Sequence, residues 1–178
     1  LGAQFGAYNG WERANWFAQE GDNTDMAAAE TWEREGPWEV RVKEECEAVR
    51  DACGVLDMCG FSRYNLSGEG AADWLRSQIT GGLPKVGRMN LGYFADSRGR
   101  IVTEMSIIRR EHDVFTLMTA ALAQWHDFEF LKKSLPAGLT LTDHSTEYMT
   151  MLVTGPTSRD VLASISDADL STSWLSHQ

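Results

Sequence analysis

Residues 89–109, MNLGYFADSRGRIVTEMSIIR, decide the fold class of this chain. Apolar side chains alternate with polar or small ones on both sides of the polar segment Asp96–Gly99, and such alternation is typical of β-strands. A glycine at the last position of a four-residue turn favours a tight connection, so the stretch predicts a β-hairpin. The second strand has two faces, with Ile101, Thr103, Met105 and Ile107 on one and Val102, Glu104, Ser106 and Ile108 on the other.

The flanking segments predict further strands and helices. We expect strands at about 61–67, 114–119, 139–142 and 147–154, and helices at about 39–53, 70–79, 121–135 and 155–165. The helices are indicated by apolar residues that recur at steps of three or four, among them Trp74 and Trp125, which we expect in the core. Three meandering strands between helices predict an α+β fold, in which helices pack on an antiparallel sheet.

The first 38 residues differ from the rest in composition. Residues 1–60 hold 13 acidic and 5 basic side chains, in a chain whose net charge is −10. Disordered arms are poor in aromatic residues, whereas this segment contains Trp11, Trp16, Phe17, Trp32 and Trp38. We therefore expect residues 1–38 to form an irregular acidic arm that buries its rings on a folded surface, and residues 39–178 to form the main domain.

Composition excludes several classes of protein. The negative charge argues against a nucleic-acid binder, which needs a basic surface. No apolar run reaches the roughly 18 residues of a membrane span, and the first ten residues lack the pattern of a signal peptide. Cys46, Cys53 and Cys59 are odd in number and form no C-x-x-C pair, so we expect reduced, partly buried thiols and neither a disulfide framework nor a metal site.

Glu104 is the most informative carboxylate, because it shares a strand face with Val102 and Ile108. A glutamate on an apolar strand face either reaches solvent or serves a site. Asp143-His144-Ser145 contains the residue types of a catalytic triad, but neighbouring strand residues point to opposite faces, so we do not expect a triad.

Other polar residues give weaker signals. His112, His126, His144 and His177 are isolated from one another, and Gly68-Glu69-Gly70 is an incomplete phosphate-binding fingerprint. Arg63, Arg88, Arg98 and Arg100 either bind the carboxylate tail of a ligand or balance the acidic arm, and we favour the second role. These residues alone do not identify a reaction.

Four segments resemble known proteins. Gly10–Phe17 (GWERANWF) resembles the segment that follows the flavin domain in dimethylglycine and sarcosine dehydrogenases. Glu45–Asp57 (ECEAVRDACGVLD), the hairpin Met89–Ile107 and the junction Leu152–Pro156 (LVTGP) resemble motifs of the glycine cleavage T-protein family, the aminomethyltransferases. The four segments occur in the order of the family and span nearly the whole chain, with the first pointing to its flavin-linked branch.

The resemblance implies a folate-binding aminomethyltransferase domain that transfers a one-carbon unit to tetrahydrofolate and yields 5,10-methylenetetrahydrofolate. In the flavin-linked branch an FAD-dependent oxidoreductase domain oxidises an N-methylated amine upstream. The resemblance places Glu104 at the position of the family's key aspartate, with a proton-transfer role, and Phe61, Leu91 and Met118 along the folate pocket. It also implies a cytoplasmic location, or the mitochondrial matrix in a eukaryote.

The chain departs from the family in two ways. Ala120 replaces an asparagine that helps to bind folate, and the chain ends before the glutamate and arginine that hold the pterin edge and the glutamate tail. We therefore expect a fragment of a larger enzyme or one subunit of a split enzyme. A non-catalytic binding or scaffold module of the same fold, and a folate-dependent demethylase, are the alternatives.

Overall fold

The computed structural model describes residues 1–8, 10–25 and 35–172. In chain order the elements are β1 (Ala3–Tyr8), β2 (Trp11–Phe17), α1 (Glu39–Asp51), β3 (Gly54–Asp57), β4 (Phe61–Ser67), α2 (Ala71–Gln78), β5 (Ile79–Thr80), β6 (Met89–Ala95), β7 (Ile101–Glu111), β8 (Val114–Ala120), α3 (Gln124–Ser134), β9 (Thr140–Asp143), β10 (Met151–Thr154) and α4 (Ser158–Ala163). They belong to two compact units, one of Leu1–Leu56 with Leu152–Gln178 and one of Asp57–Met151. The predicted α+β class is confirmed.

The Asp57–Met151 unit is built on a six-stranded sheet in the order β5-β6-β7-β8-β4-β9. All five neighbouring strand pairs of this sheet are antiparallel, and the predicted hairpin is the β6-β7 pair. In its turn, Gly99 has a φ of 76° and its amide donates to the Asp96 carbonyl over 2.9 Å. The Asp96 carboxylate also accepts from the Arg100 guanidinium at 2.7 Å, so the turn residues hold one another in place.

One face of this sheet forms the core of the unit. The buried side chains come from four strands and from α2 and α3: Tyr64, Leu66, Ala71, Ala72, Trp74, Leu75, Phe94, Met105, Ile107, Phe115, Leu117 and Leu131. Phe94 meets Phe130 edge-on, with ring centroids 6.0 Å apart, and the Trp74 indole donates to the Ser134 carbonyl over 3.0 Å. Both helices therefore cover the same side of the sheet, which leaves the opposite side uncovered by them. The predicted burial of Trp74 is confirmed.

The other unit contains two small sheets, β1-β2 and β3-β10, together with α1 and α4. The junction between β10 and α4 is tight, because Gly155 has a φ of 125° and a Cβ there would collide with the Ala52 carbonyl oxygen. A substitution at Gly155 would therefore strain the backbone and force the Ala52 segment to move. None of the helices described is long and apolar enough to span a bilayer.

Several predictions about elements were wrong. Within the predicted irregular arm, β1 (Ala3–Tyr8) and β2 (Trp11–Phe17) pair as antiparallel strands, and β3 was not predicted. The predicted strand at 147–154 is shorter, and the predicted helix at 121–135 begins with a 3₁₀ turn over Ala121–Ala123. Trp125 is 73% exposed, not in the core, because the face of α3 that packs on the sheet carries Leu131 and Phe128.

The aromatic and cysteine predictions are confirmed in part. Trp16 is buried, while Phe17 is exposed; Trp32, His177 and the side chain of Trp11 lie outside what the structure describes. The three cysteines are free thiols, but Cys46 and Cys59 are exposed, contrary to expectation. The division at residue 38 into arm and main domain stays a prediction.

An ion pair between two largely buried side chains stabilises the start of α1. Arg41 donates through Nε and Nη2 to the two carboxylate oxygens of Asp22, both at 2.7 Å. These bonds, and one from the Gln19 amide, lower the pKa of Asp22 from 3.8 to about 2. A bidentate arginine–carboxylate pair has a fixed geometry, so the segment around Asp22 is tied to α1.

We expect Asp22→Asn to lower the free energy of unfolding near neutral pH and to have less effect in acid. The pKa of Asp22 is lower in the folded chain, so its contribution is present above about pH 4 and is lost as the pH falls toward 2. Urea unfolding followed by circular dichroism between pH 2 and 7 measures this, with Glu47→Gln on the same helix as the control, because Glu47 is exposed and lies 3.9 Å from Lys43. A difference between wild type and Asp22→Asn that stays constant with pH would contradict the assignment.

Candidate functional site

The four residues predicted for the site lie on the sheet face opposite the core. Side chains along a strand alternate between faces, and Tyr64, Phe94, Met105 and Leu117 all point into the core. Each predicted residue is an odd number of positions away from a core residue on its own strand: Phe61 on β4, Leu91 on β6, Glu104 on β7 and Met118 on β8. We call this surface, with Tyr93 included, the open face.

The strand register brings these side chains into two adjacent rows. Leu91 pairs with Ser106, which pairs with Met118 on its other side. In the next row Tyr93 pairs with Glu104. Phe61 pairs with Ala120 at the end of the β4-β8 ladder. Residues from four strands, at positions from 61 to 118 of the sequence, therefore share one surface.

The open face is apolar and exposed within its unit. Leu91 is 51% exposed, Phe61 and Tyr93 are each 37% exposed, and Met118 is half-buried. Scattered exposed apolar residues are ordinary, but a contiguous set on one sheet face is typical of a binding surface. Such a surface suits a flat aromatic ligand, which gains contact without a deep pocket.

Glu104 is the acidic group of the open face. Its side chain is exposed, and within the residues described its carboxylate makes no hydrogen bond or ion pair. Its backbone pairs with Tyr93 in the β6-β7 ladder, and its carbonyl accepts from the Thr119 hydroxyl at 3.4 Å. The carboxylate is therefore available to a ligand, where it can accept a proton or stabilise a positive charge.

A second carboxylate, which the sequence did not single out, lies on the core side of the same strands. Asp127, in the first turn of α3, is fully buried and accepts hydrogen bonds from the hydroxyls of Thr103 at 2.9 Å and Thr119 at 2.5 Å. Its other oxygen lies 2.8 Å from Nδ1 of His126. Thr103 precedes Glu104 on β7, so Asp127 ties α3 to the backbone that carries Glu104. The available signal was an acidic residue within a helical apolar face.

The other candidate groups are satisfied locally. Ser145 donates to Asp143, whereas His144 turns its Nδ1 to Glu147 at 2.7 Å, so the three triad-type residues are not arranged as a triad. At the start of α2, Asp113 accepts from the Ala72 amide at 2.8 Å. That bond, followed by one from His112, keeps the pKa of Asp113 below its usual range. The helix terminus beside Gly68-Glu69-Gly70 is thus already occupied by a carboxylate.

Metal binding has no support in the described part of the chain, where no three or more His, Cys, Asp or Glu residues are grouped so that they could hold an ion. Among the residues described, the strongest arrangement is therefore the open face with the carboxylate of Glu104. Its chemistry is recognition of an apolar ring system next to a proton acceptor.

Comparisons with known proteins agree on one family. The family described as GCVT N-terminal domain matches residues 1–177. Mitochondrial dimethylglycine dehydrogenase of Mus musculus is 27% identical over 169 residues, which are 93% of this chain and 19% of that protein. Sarcosine oxidase subunit alpha of Corynebacterium sp. (strain U-96) is 29% identical over 175 residues, which are 94% of this chain and 17% of that subunit.

A solved structure shows the same fold. The glycine cleavage system aminomethyltransferase T from Bartonella henselae matches with a TM-score of 0.68 at 22% identity, over 92% of this chain and 40% of that one. The chain thus spans less than half the length of each of these three proteins. On the match over residues 1–177, the chain belongs to the GCVT N-terminal domain family.

Proposed function

We propose that this chain forms the tetrahydrofolate-binding part of an aminomethyl-transfer domain. The observation that carries the proposal is the open face, on which Phe61, Leu91 and Met118 surround the strand that presents Glu104. The fit to a reduced pterin is chemical: an apolar wall for flat rings lies beside one carboxylate that has no partner within the described residues. Sequence relatives among dehydrogenases and the T-protein fold support the same assignment.

The residues divide the work between binding and proton transfer. Tetrahydrofolate supplies an amine that accepts a one-carbon unit. Glu104 takes the proton that this amine must lose and stabilises positive charge next to it. Leu91 and Met118 hold the ring system and exclude water from Glu104, which strengthens its electrostatic effect. Phe61 adds an aromatic surface at the end of the same face.

The full protein is proposed to be an FAD-dependent dehydrogenase of the dimethylglycine or sarcosine type that yields 5,10-methylenetetrahydrofolate. Two relatives that match over more than nine-tenths of this chain carry the names dimethylglycine dehydrogenase and sarcosine oxidase subunit alpha, and they support this branch. In this proposal a flavin domain outside the chain oxidises a small N-methylated amine, and the domain described here captures the carbon. The cytoplasm, or the mitochondrial matrix in a eukaryote, is the proposed location.

Titration of the full-length protein with tetrahydrofolate tests the proposal, and Leu91→Ala is the informative variant. We expect saturable binding of tetrahydrofolate to wild type, measured by calorimetry under reducing conditions. Loss of three carbons from the ligand contact in Leu91→Ala should weaken binding by up to roughly fiftyfold, because ~0.8 kcal/mol per buried CH₂ amounts to about 2.4 kcal/mol.

Ile101→Ala is the matched control. Ile101 is an aliphatic residue of similar exposure, at 66%. It lies an even number of positions from the core residues Met105 and Ile107 on β7, and therefore on the sheet face opposite the open face. It should bind tetrahydrofolate as wild type does. If the full-length protein bound no tetrahydrofolate, the proposed function would be rejected; equal losses in the two variants would reject the open face as the binding surface.

A further inference from the structure

Arg63 lies at the edge of the open face and has no assigned role. It follows Phe61 by two positions on β4, so both side chains are on the same side of the sheet. It pairs with Met118 of β8, in the row that continues to Ser106 and Leu91. Glu104 lies two strands away, about 10 Å across the sheet at a spacing of ~4.8 Å per strand. The positive group thus lies at one edge of the apolar surface and the carboxylate nearer its middle, with Met118 on the strand between them.

The guanidinium of Arg63 is held in place from one side. Its Nη2 donates to the Thr150 hydroxyl over 2.9 Å, and its Cζ lies 5.2 Å from the centroid of the Tyr148 ring. The backbone of Arg63 is fixed as well, because its amide donates to the Ser145 hydroxyl and its carbonyl accepts from the His144 amide, both over 2.9 Å. An arginine held by stacking and by a hydrogen bond has less conformational entropy to lose when it binds a ligand.

No acidic side chain neutralises Arg63 in the described part of the chain. Within the residues described, its remaining guanidinium donors, at Nε and Nη1, have no hydrogen-bond partner, and Arg63 forms no ion pair. Arg41 and Arg100, in contrast, each pair with a carboxylate at 2.7 Å. A half-buried arginine without a carboxylate is unexpected in a chain with 26 acidic and 16 basic residues.

The acidic residues nearest in sequence to segment 144–150, which holds Arg63, have other partners. Asp143 accepts from Ser145 and from the Gln124 amide, the latter over 2.8 Å. Glu147 accepts from His144. The expectation that Arg63 balances an acidic arm is therefore less consistent with its contacts than the alternative, in which it binds the carboxylate of a ligand.

We propose that Arg63 binds a carboxylate of the glutamate tail of the ligand whose rings lie on the open face. This inference rests on the proposed function and extends it from the ring-binding surface to the charged end of the ligand. Arginine presents its donors as a planar fork that matches a carboxylate, so two hydrogen bonds form along one edge of the guanidinium. Tyr148 and Thr150 act as positioning residues that hold that fork.

The test compares two ligands on the full-length protein: tetrahydrofolate, and its diamide, in which both glutamate carboxylates are carboxamides. Wild type should bind tetrahydrofolate about tenfold or more tightly than the diamide, because a charge-assisted bidentate pair is lost with the carboxylate. Arg63→Gln should weaken tetrahydrofolate binding by a similar factor and leave binding of the diamide within about twofold. Arg63→Lys should retain part of the preference, since it keeps the charge without the fork.

Arg98→Gln is the control, because Arg98 is an exposed arginine in the hairpin turn. It should discriminate between the two ligands as wild type does. Equal binding of tetrahydrofolate and the diamide by wild type would overturn the inference without the need for any variant, as would equal weakening of both ligands in Arg63→Gln. If wild type bound neither ligand, the proposed function itself would fail, and that result is distinct from the other two.

Discussion

Replacing Glu104 with glutamine should lower the rate of tetrahydrofolate-dependent product formation by the full-length enzyme by about 10²–10⁴-fold, the usual contribution of a general acid–base group. Glutamine keeps the size and the hydrogen-bonding oxygen of the side chain but cannot accept a proton. The side chain is exposed and makes no hydrogen bond or ion pair within the described residues, so stability and folding should not change. The loss should therefore appear in kcat, with the dissociation constant for tetrahydrofolate within a few-fold of wild type.

The measurement separates capture of the carbon from oxidation of the amine. In the proposed function, formation of 5,10-methylenetetrahydrofolate is followed together with flavin reduction, which should proceed normally in Glu104→Gln. Glu111→Gln provides the comparison, because Glu111 is an exposed glutamate at the end of the same strand. Normal product yield from Glu104→Gln would remove Glu104 from the proton-transfer step and leave the apolar part of the open face as a binding surface only.

Phe94→Ala should lower the free energy of unfolding by about 3–5 kcal/mol, the range for deletion of a buried aromatic ring. Phe94 lies on β6, which pairs with β5 on one side and β7 on the other. Its side chain is fully buried and makes the edge-on contact with Phe130. Truncation leaves a cavity between the sheet and α3, which the surrounding side chains fill only in part. Urea unfolding followed by circular dichroism gives the change directly.

Tyr93→Ala is the matched variant, one residue away on the same strand. Its side chain lies on the open face and is 37% exposed, so we expect a loss of about 1 kcal/mol or less. Tyr93→Ala should also weaken tetrahydrofolate binding, whereas the main effect of Phe94→Ala should be the lower free energy of unfolding. Similar destabilisation by both substitutions would contradict the assignment of the two faces of β6.

The hairpin was predictable because its determinants are local. Alternation along residues 89–109 sets which side chains share a face, and the Asp96–Gly99 turn closes the pair within a few residues. The grouping of Glu104 with Ser106 and Ile108 follows from that alternation alone. Phe61, Leu91 and Met118 came from the family resemblance, and strand pairing places them beside that group.

The predictions that were wrong depended on distant contacts. Periodicity indicated an apolar stripe on α1, but none of its residues is buried, and periodicity placed Trp125 in the core although it is exposed. Such patterns show which residues share a helix face, and the rest of the chain decides which face is covered. The position of Asp127 in an apolar helix face was the one signal for it, but its partners Thr103 and Thr119 belong to strands that only the folded sheet brings to α3.

The open face also bears on the colloidal behaviour of the protein. Exposed Met89, Leu91 and Tyr93 offer other copies of the chain an apolar surface on which to stick. A net charge of −10 opposes this near neutral pH, since like-charged molecules repel before the apolar surfaces meet. As carboxylates become protonated toward the isoelectric point near 4.8 the repulsion declines, so we expect the surface that suits a ligand in neutral solution to promote association of chains at that pH.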